Sequence, residues 1–159
     1  MNNFFSGFFQ FGYVTRNLDA ACAAFRDKFG QVEFLITDPV GPDGGPAPTK
    51  RLALTWIDDV MTEIIEPDFD QKTIYDHAIP AEAGPLCLHH FGYLIDDHEG
   101  MLKRLAGMGY ALPMHGSLPG FLDFSYADTR ADLGVFSEFI RLDKSGKEFF
   151  DSAPRIRTR

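Results

Sequence analysis

Two glutamates, Glu63 and Glu138, each stand at the centre of a short apolar alternation, between Met61 and Ile65 in one case and Phe136 and Ile140 in the other. A carboxylate on such a strand face is costly to bury unless it is paired or bound to a cation. The segments match each other, Glu63-Ile64-Ile65 against Glu138-Phe139-Ile140, so one explanation must serve both. A second matched pair is also polar: Gln10-Phe11-Gly12-Tyr13-Val14 returns about half a chain later as His90-Phe91-Gly92-Tyr93-Leu94. Side chains alternate across a strand, so Gln10 shares a face with Gly12, and His90 with Gly92. Phe9, Phe11 and Tyr13, and likewise His89, Phe91 and Tyr93, take the other face, under a helix. Each glycine withdraws a side chain beside the polar residue and leaves room. Gln10, Glu63, His90 and Glu138 together offer three oxygen ligands and one imidazole nitrogen, a set suited to a divalent cation with positions open for water or substrate. Taken singly, a strand glutamate is commonly an edge residue facing water and a strand histidine a satisfied core residue. Recurrence at four repeat-related positions favours a site, and residue types alone leave a metal and another polar ligand both open.

The elements that must position these residues also repeat. After the first copy, Asn17 is a good N-cap for a helix whose apolar stripe is Leu18, Ala21, Cys22, Phe25 and Phe29, closed by Gly30. After the second, Asp97 caps a helix carrying Met101, Leu102, Leu105 and Met108, closed by Gly109. Beyond each helix the period moves toward two. Val32 to Thr37, Lys50 to Trp56 and Val60 to Glu66 read as strands, with a Pro/Gly-rich loop from Pro39 to Thr49 and a turn at Asp58-Asp59. Tyr110 to His115, Phe121 to Ala127 and Val135 to Leu142 supply the same three in the second half. The expected class is α+β: two paired βαβββ modules forming a cupped, partly closed mixed β-sheet with helices on the outside. Residues 8–67 form the first module, 68–86 a linker, 87–143 the second module and 144–159 a terminal helix and tail, all within one domain. Lys144 to Phe150 is the terminal helix, docked by Phe149 and Phe150.

Composition bounds the function. The chain has 159 residues, 45% of them apolar and 24% charged, which suits one globular domain. A net charge of −8 disfavours nucleic acid and anionic membranes as partners, and no apolar run approaches a membrane span. Arg155, Arg157 and Arg159 read as a solvated tail. Cys22 and Cys87 form no C-x-x-C motif or framework, which fits reduced thiols in a cytoplasmic protein. The N-terminus lacks the basic and cleavage regions of a signal peptide. Phenylalanine is abundant, 16 residues against one Trp, with Phe4, Phe5, Phe8, Phe9 and Phe11 clustered at the start. That surplus points to a hydrophobic pocket or a homodimer contact. Phe8, Tyr75, His77 and His115 are the candidates for a substrate pocket, with Ser117 and the loop Leu118 to Gly120 at its mouth.

The segments QFGYVTRNLDAACAAFRDKFG, TEIIEP, LHHFGYLIDD and GVFSEFIRLD, in this order and spacing, resemble the vicinal oxygen chelate superfamily. That group includes glyoxalase I, methylmalonyl-CoA epimerase, extradiol dioxygenases and bleomycin-resistance proteins. The likeness runs from Gln10 to Leu142, nearly the whole chain, and is of the glyoxalase I or methylmalonyl-CoA epimerase kind. It implies paired βαβββ modules around a metal ligated from the first and last strand of each. Carried over by position, the ligands are Gln10, Glu63, His90 and Glu138, for a divalent ion that could be Zn, Ni, Co, Mn or Mg. Extradiol dioxygenases need a second histidine where this chain has Gln10, which disfavours their chemistry. The resemblance implies a lyase or isomerase that moves a proton next to a carbonyl of a small, hydrophobic substrate through a metal-stabilised enediolate or enolate. Glu138 is then the principal base and Glu63 the second catalytic carboxylate. The competing expectation is a metal-free, drug-sequestering binding protein of the bleomycin-resistance kind.

Overall fold

The computed structural model describes residues 3–30, 32–41 and 44–157. Arg159 of the basic tail and residues 42–43 of the Pro/Gly-rich loop therefore lie outside the described residues. The chain is α+β and forms two compact units, one comprising the chain up to Gln10 with His90–Asp151, the other Phe11–His89 with the chain from Ser152 onward.

In the second of these units β1 (Phe8–Val14, of which Phe11 onward belongs here) leads into α1 (Leu18–Phe29). Two acceptors secure the start of α1. The Asn17 side chain accepts from the Ala20 amide at 2.9 Å, and Glu66 Oε2 accepts from the Leu18 amide at 2.7 Å. These bonds satisfy donors that the first helical turn leaves open. The helix stripe buries Leu18, Ala21 and Cys22 against Ala53 and Ile64, and burial pushes the Cys22 thiol up from its ordinary range. Next come β2 (Leu35–Thr37), β3 (Thr49–Ile57) and β4 (Val60–Pro67), in the order β2-β3-β4-β1, with β3 antiparallel to both β2 and β4. Strand β2 is shorter than the alternation suggests. Val32 is buried, and Phe34 packs against Phe25 and the α1 cluster, so this stretch fills core instead of joining the ladder.

The tail is not a solvated end at Arg155. Strand β9 (Arg155–Ile156) pairs parallel with β3, placing the Arg155 guanidinium 4.5 Å from the Trp56 ring centroid and against the Asp58 carbonyl. Cation–π attraction and a backbone acceptor outweigh full hydration of this arginine.

In the other unit β5 (Cys87–Leu94, from His90 onward) runs parallel to β8 (Phe136–Leu142). The order continues through β7 (Leu122–Ala127) to β6 (Met114–Leu118), both contacts antiparallel. Helix α2 (His98–Gly107) is capped by Asp97, which accepts from the Gly100 amide at 2.9 Å. It buries Leu105 against Tyr93, Ala127 and Phe139, with Phe4, Phe91 and Met101 around them. Phe91 and Tyr93 thus face α2, as strand alternation requires. The chain reaches β6 four residues later than the pattern suggests. Tyr110 and Leu112 are spent in the α2 core, and Pro113 has no amide to give a ladder. The β7–β8 connection holds a short α3 (Arg130–Leu133). Beyond β8, α4 (Lys144–Asp151) docks Phe149 on Phe121 at 5.4 Å and Phe150 on Phe9 at 6.1 Å. Phe9 therefore packs on α4.

Candidate metal site

Strands β5 and β8 place His90 and Glu138 on the same face, because Phe139, the neighbour of Glu138, points into the α2 core and Tyr93 does likewise. His90 is fully buried and Glu138 nearly so, with His90 Nε2 3.2 Å from Glu138 Oε2. Gln10, also fully buried, joins them through Gly92, the residue paired with Glu138 across the parallel ladder. A Cβ at Gly92 would stand 2.5 Å from Gln10 Oε1 and 2.8 Å from Gln10 Cβ. The glycine is the space into which the amide folds.

In the other unit Glu63 occupies the corresponding place on β4. Ile64 enters the α1 core with Ala53, so Glu63 faces the opposite way, cross-strand from Leu54 and flanked along its strand by Met61 and Ile65. It is 9% exposed. Glu63, His90 and Glu138 are buried groups each able to give one ligand atom to a metal ion.

The chemistry of these donors fits a divalent cation. Ligand atoms each about 2.1 Å from one ion and roughly at right angles stand about 3 Å apart, close to the separation of His90 Nε2 and Glu138 Oε2. Carboxylate, imidazole and amide oxygen are hard-to-borderline donors of the kind that Zn, Co, Ni, Mn and Mg accept.

The four residues expected to line a pocket lie within their own units as follows. Tyr75 is buried and packs on His89 at 4.9 Å, and His77 lies 5.3 Å from the same ring. His89, 3.1 Å from the Ile74 carbonyl through Nε2, points away from the His90 side of β5 by strand alternation. His115 is exposed and pairs with Ser125 on the α2 side of the sheet. Phe8 is exposed and meets Phe91 and Tyr93, also on that side.

Sequence reasoning did not single out Tyr126, Phe124 or Gly116. Tyr126 lies opposite Glu138 in the β7–β8 register, with its ring 5.1 Å from that of His90. Alternation in β7 puts Phe124 and Tyr126 on one face, but only the register with β8 says which face it is.

No protein-family profile and no curated protein sequence matches the chain. Solved structures do match it. Methylmalonyl-CoA epimerase from Mycobacterium tuberculosis superposes with a TM-score of 0.62 at 16% identity, covering 93% of this chain and 97% of that one. A methylmalonyl-CoA epimerase in complex with methylmalonyl-CoA and NH4+ gives 0.62 at 17% identity, over 88% and 96%. A Streptomyces coelicolor epimerase variant in complex with 2-nitronate-propionyl-CoA gives 0.60 at 17%, over 86% and 97%. This chain has the vicinal oxygen chelate fold. The expected α+β architecture of βαβββ modules with a mixed sheet is thus the observed one, shared with the epimerases over nearly the full length of both chains.

Proposed function

We propose that the protein is a metal-dependent isomerase of the vicinal oxygen chelate kind, moving a proton next to a carbonyl of a small-molecule substrate. The observation that carries this reading is the buried contact of His90 with Glu138, beside Gln10 folded over Gly92. The epimerase fold supports the class of reaction. Gln10, Glu63, His90 and Glu138 are the ligands in this reading. A bound divalent cation would supply Lewis acidity toward a carbonyl oxygen, lowering the cost of negative charge there.

The chain's own residues do the rest. His90 and Gln10 orient the substrate oxygens by holding the centre in a buried, preorganised position. Glu138 takes the proton from the carbon next to the carbonyl, and Glu63 is the second carboxylate, which returns one. The substrate in this reading is a CoA thioester with an acidic carbon, as in the complexes of the structural neighbours. The reading includes a cytoplasmic homodimer, for which exposed Phe5 and Phe8 supply apolar contact surface.

Chelator-stripped protein, reloaded with Zn, Co, Ni, Mn or Mg in turn, tests this by elemental analysis and by NMR of methylmalonyl-CoA in D2O. One ion per chain and metal-dependent deuterium uptake at the acidic carbon are expected. Binding none of these ions would overturn the proposal.

A further inference from the structure

The His90 imidazole can serve as a ligand only if its plane is held, because rotation about its terminal side-chain bond swings Nε2 away from Glu138. Packing around His90 shows what holds it. The Tyr126 ring stands edge-to-face against the imidazole, at 5.1 Å and 82°. Tyr126 is buried and sits directly opposite Glu138, so the two ligands and this ring share one face of three neighbouring strands. Tyr126 is itself met at 6.3 Å and 79° by Phe124. The Phe124 ring lies over Gly116 on β6, where a Cβ would stand 2.7 Å from its Cε1 and 3.0 Å from its Cζ. Gly116 is thus the seat of a line of rings that ends on His90.

We infer that Tyr126 is a positioning residue, seated through Phe124 on Gly116, that fixes the His90 imidazole with Nε2 toward Glu138. Perpendicular ring packing supplies the restraint, since turning the imidazole would push its edge into the Tyr126 ring. The strands carrying these residues are hydrogen-bonded neighbours, so the restraint is built on rigid elements rather than a loop. The role deepens the proposed function and rests on its reading of His90 as a ligand.

Cobalt(II) titration of the metal-free full chain, read by visible absorption, tests the role together with NMR of the His90 ring before cobalt is added. Tyr126→Phe keeps the ring, and should bind cobalt within about twofold of wild type with the same spectrum. Tyr126→Leu should bind about tenfold or more weakly, the usual effect of losing a group that orients a ligand. Its His90 resonances should broaden or double in the metal-free protein. Gly116→Ala, which displaces Phe124 and leaves Tyr126 in place, should shift the cobalt spectrum and weaken binding by a smaller factor. It serves as the second variant if Tyr126→Leu does not fold. Wild-type affinity and spectrum in the leucine and alanine variants would overturn the inference. A wild-type chain that binds no cobalt would overturn the metal reading instead. In that case sharp, unshifted His90 resonances in Tyr126→Leu would overturn the brace as well.

Discussion

Glu63 and Glu66 stand three residues apart on one strand, both are buried, and they face opposite ways. Glu66 turns toward α1, accepts the Leu18 amide at 2.7 Å and has Lys50 Nζ at 3.4 Å. It ties a helix to a sheet. Glu63 turns to the face of Leu54, Met61 and Ile65, where its own strand offers no cation. The other unit repeats the contrast on β8. Arg141, on the α2 side, reaches Asp123 at 2.7 Å and Asp143 at 2.8 Å, while Glu138, on the opposite side, meets an imidazole. In both units charge on the helix-bearing face is matched within the fold. On the opposite face the buried carboxylates are Glu63, on the face of Met61 and Ile65, and Glu138, 3.2 Å from the His90 imidazole.

The comparison breaks most decisively at the ligand face. Glu63→Gln and Glu138→Gln should each weaken binding of the divalent ion by more than the 10- to 100-fold that losing a supporting group costs, with the thermal melt of the metal-free protein essentially kept. Isothermal titration with the same ion checks both. A large loss of stability without loss of metal affinity would make these carboxylates structural, like Glu66.

The reverse holds at Glu66. Glu66→Ala removes a charged acceptor from the buried Leu18 amide and should cost about 2 kcal/mol in urea denaturation. Metal affinity should stay at the wild-type value. Its loss would mean that the two faces of β4 are not independent.

The smallest effect is a pH dependence on the α2 side of the sheet. Burial holds the His98 imidazole below its ordinary value of 6.5, and Arg141 and His115 add to the fall. Asp123 and a hydrogen bond to the Phe124 backbone oppose it. The unfolded chain then binds a proton more readily than the folded one. The stability from neutral His98 is present above pH 6.5 and is lost as pH falls from there toward the folded value. Thermal melts from pH 8 to pH 5 should decline, and His98→Asn should flatten part of that decline. Asp123 is held below its ordinary range, first by the Ser117 hydroxyl and then by Arg141, so its own contribution is lost only at more acidic pH.

Much of this was legible in residues and spacing. The recurring Phe-Gly-Tyr, the Asn17 and Asp97 caps and the matched glutamates point to two like modules, and the fold has these elements in this order. Parity alone put Gln10 on the face of Gly12 and His90 on that of Gly92, because alternation along a strand is a property of the backbone. What parity could not do is cross from strand to strand. Phe8 and His115 went to the α2 side, and Tyr75 and His77 to the His89 ring, because loops and strand ends carry no period to read.

The sequence by itself determined which residues are polar on an apolar face and which helices cover the other face, since both follow from local periodicity. Tertiary structure decided the partners. The 3.2 Å approach of His90 to Glu138, the folding of Gln10 over Gly92 and the Tyr126 ring on the imidazole all depend on strand register. So does the capture of Arg155 by Trp56. Register is set by packing of the whole sheet, and a shift of one residue would turn every one of these side chains to the other side.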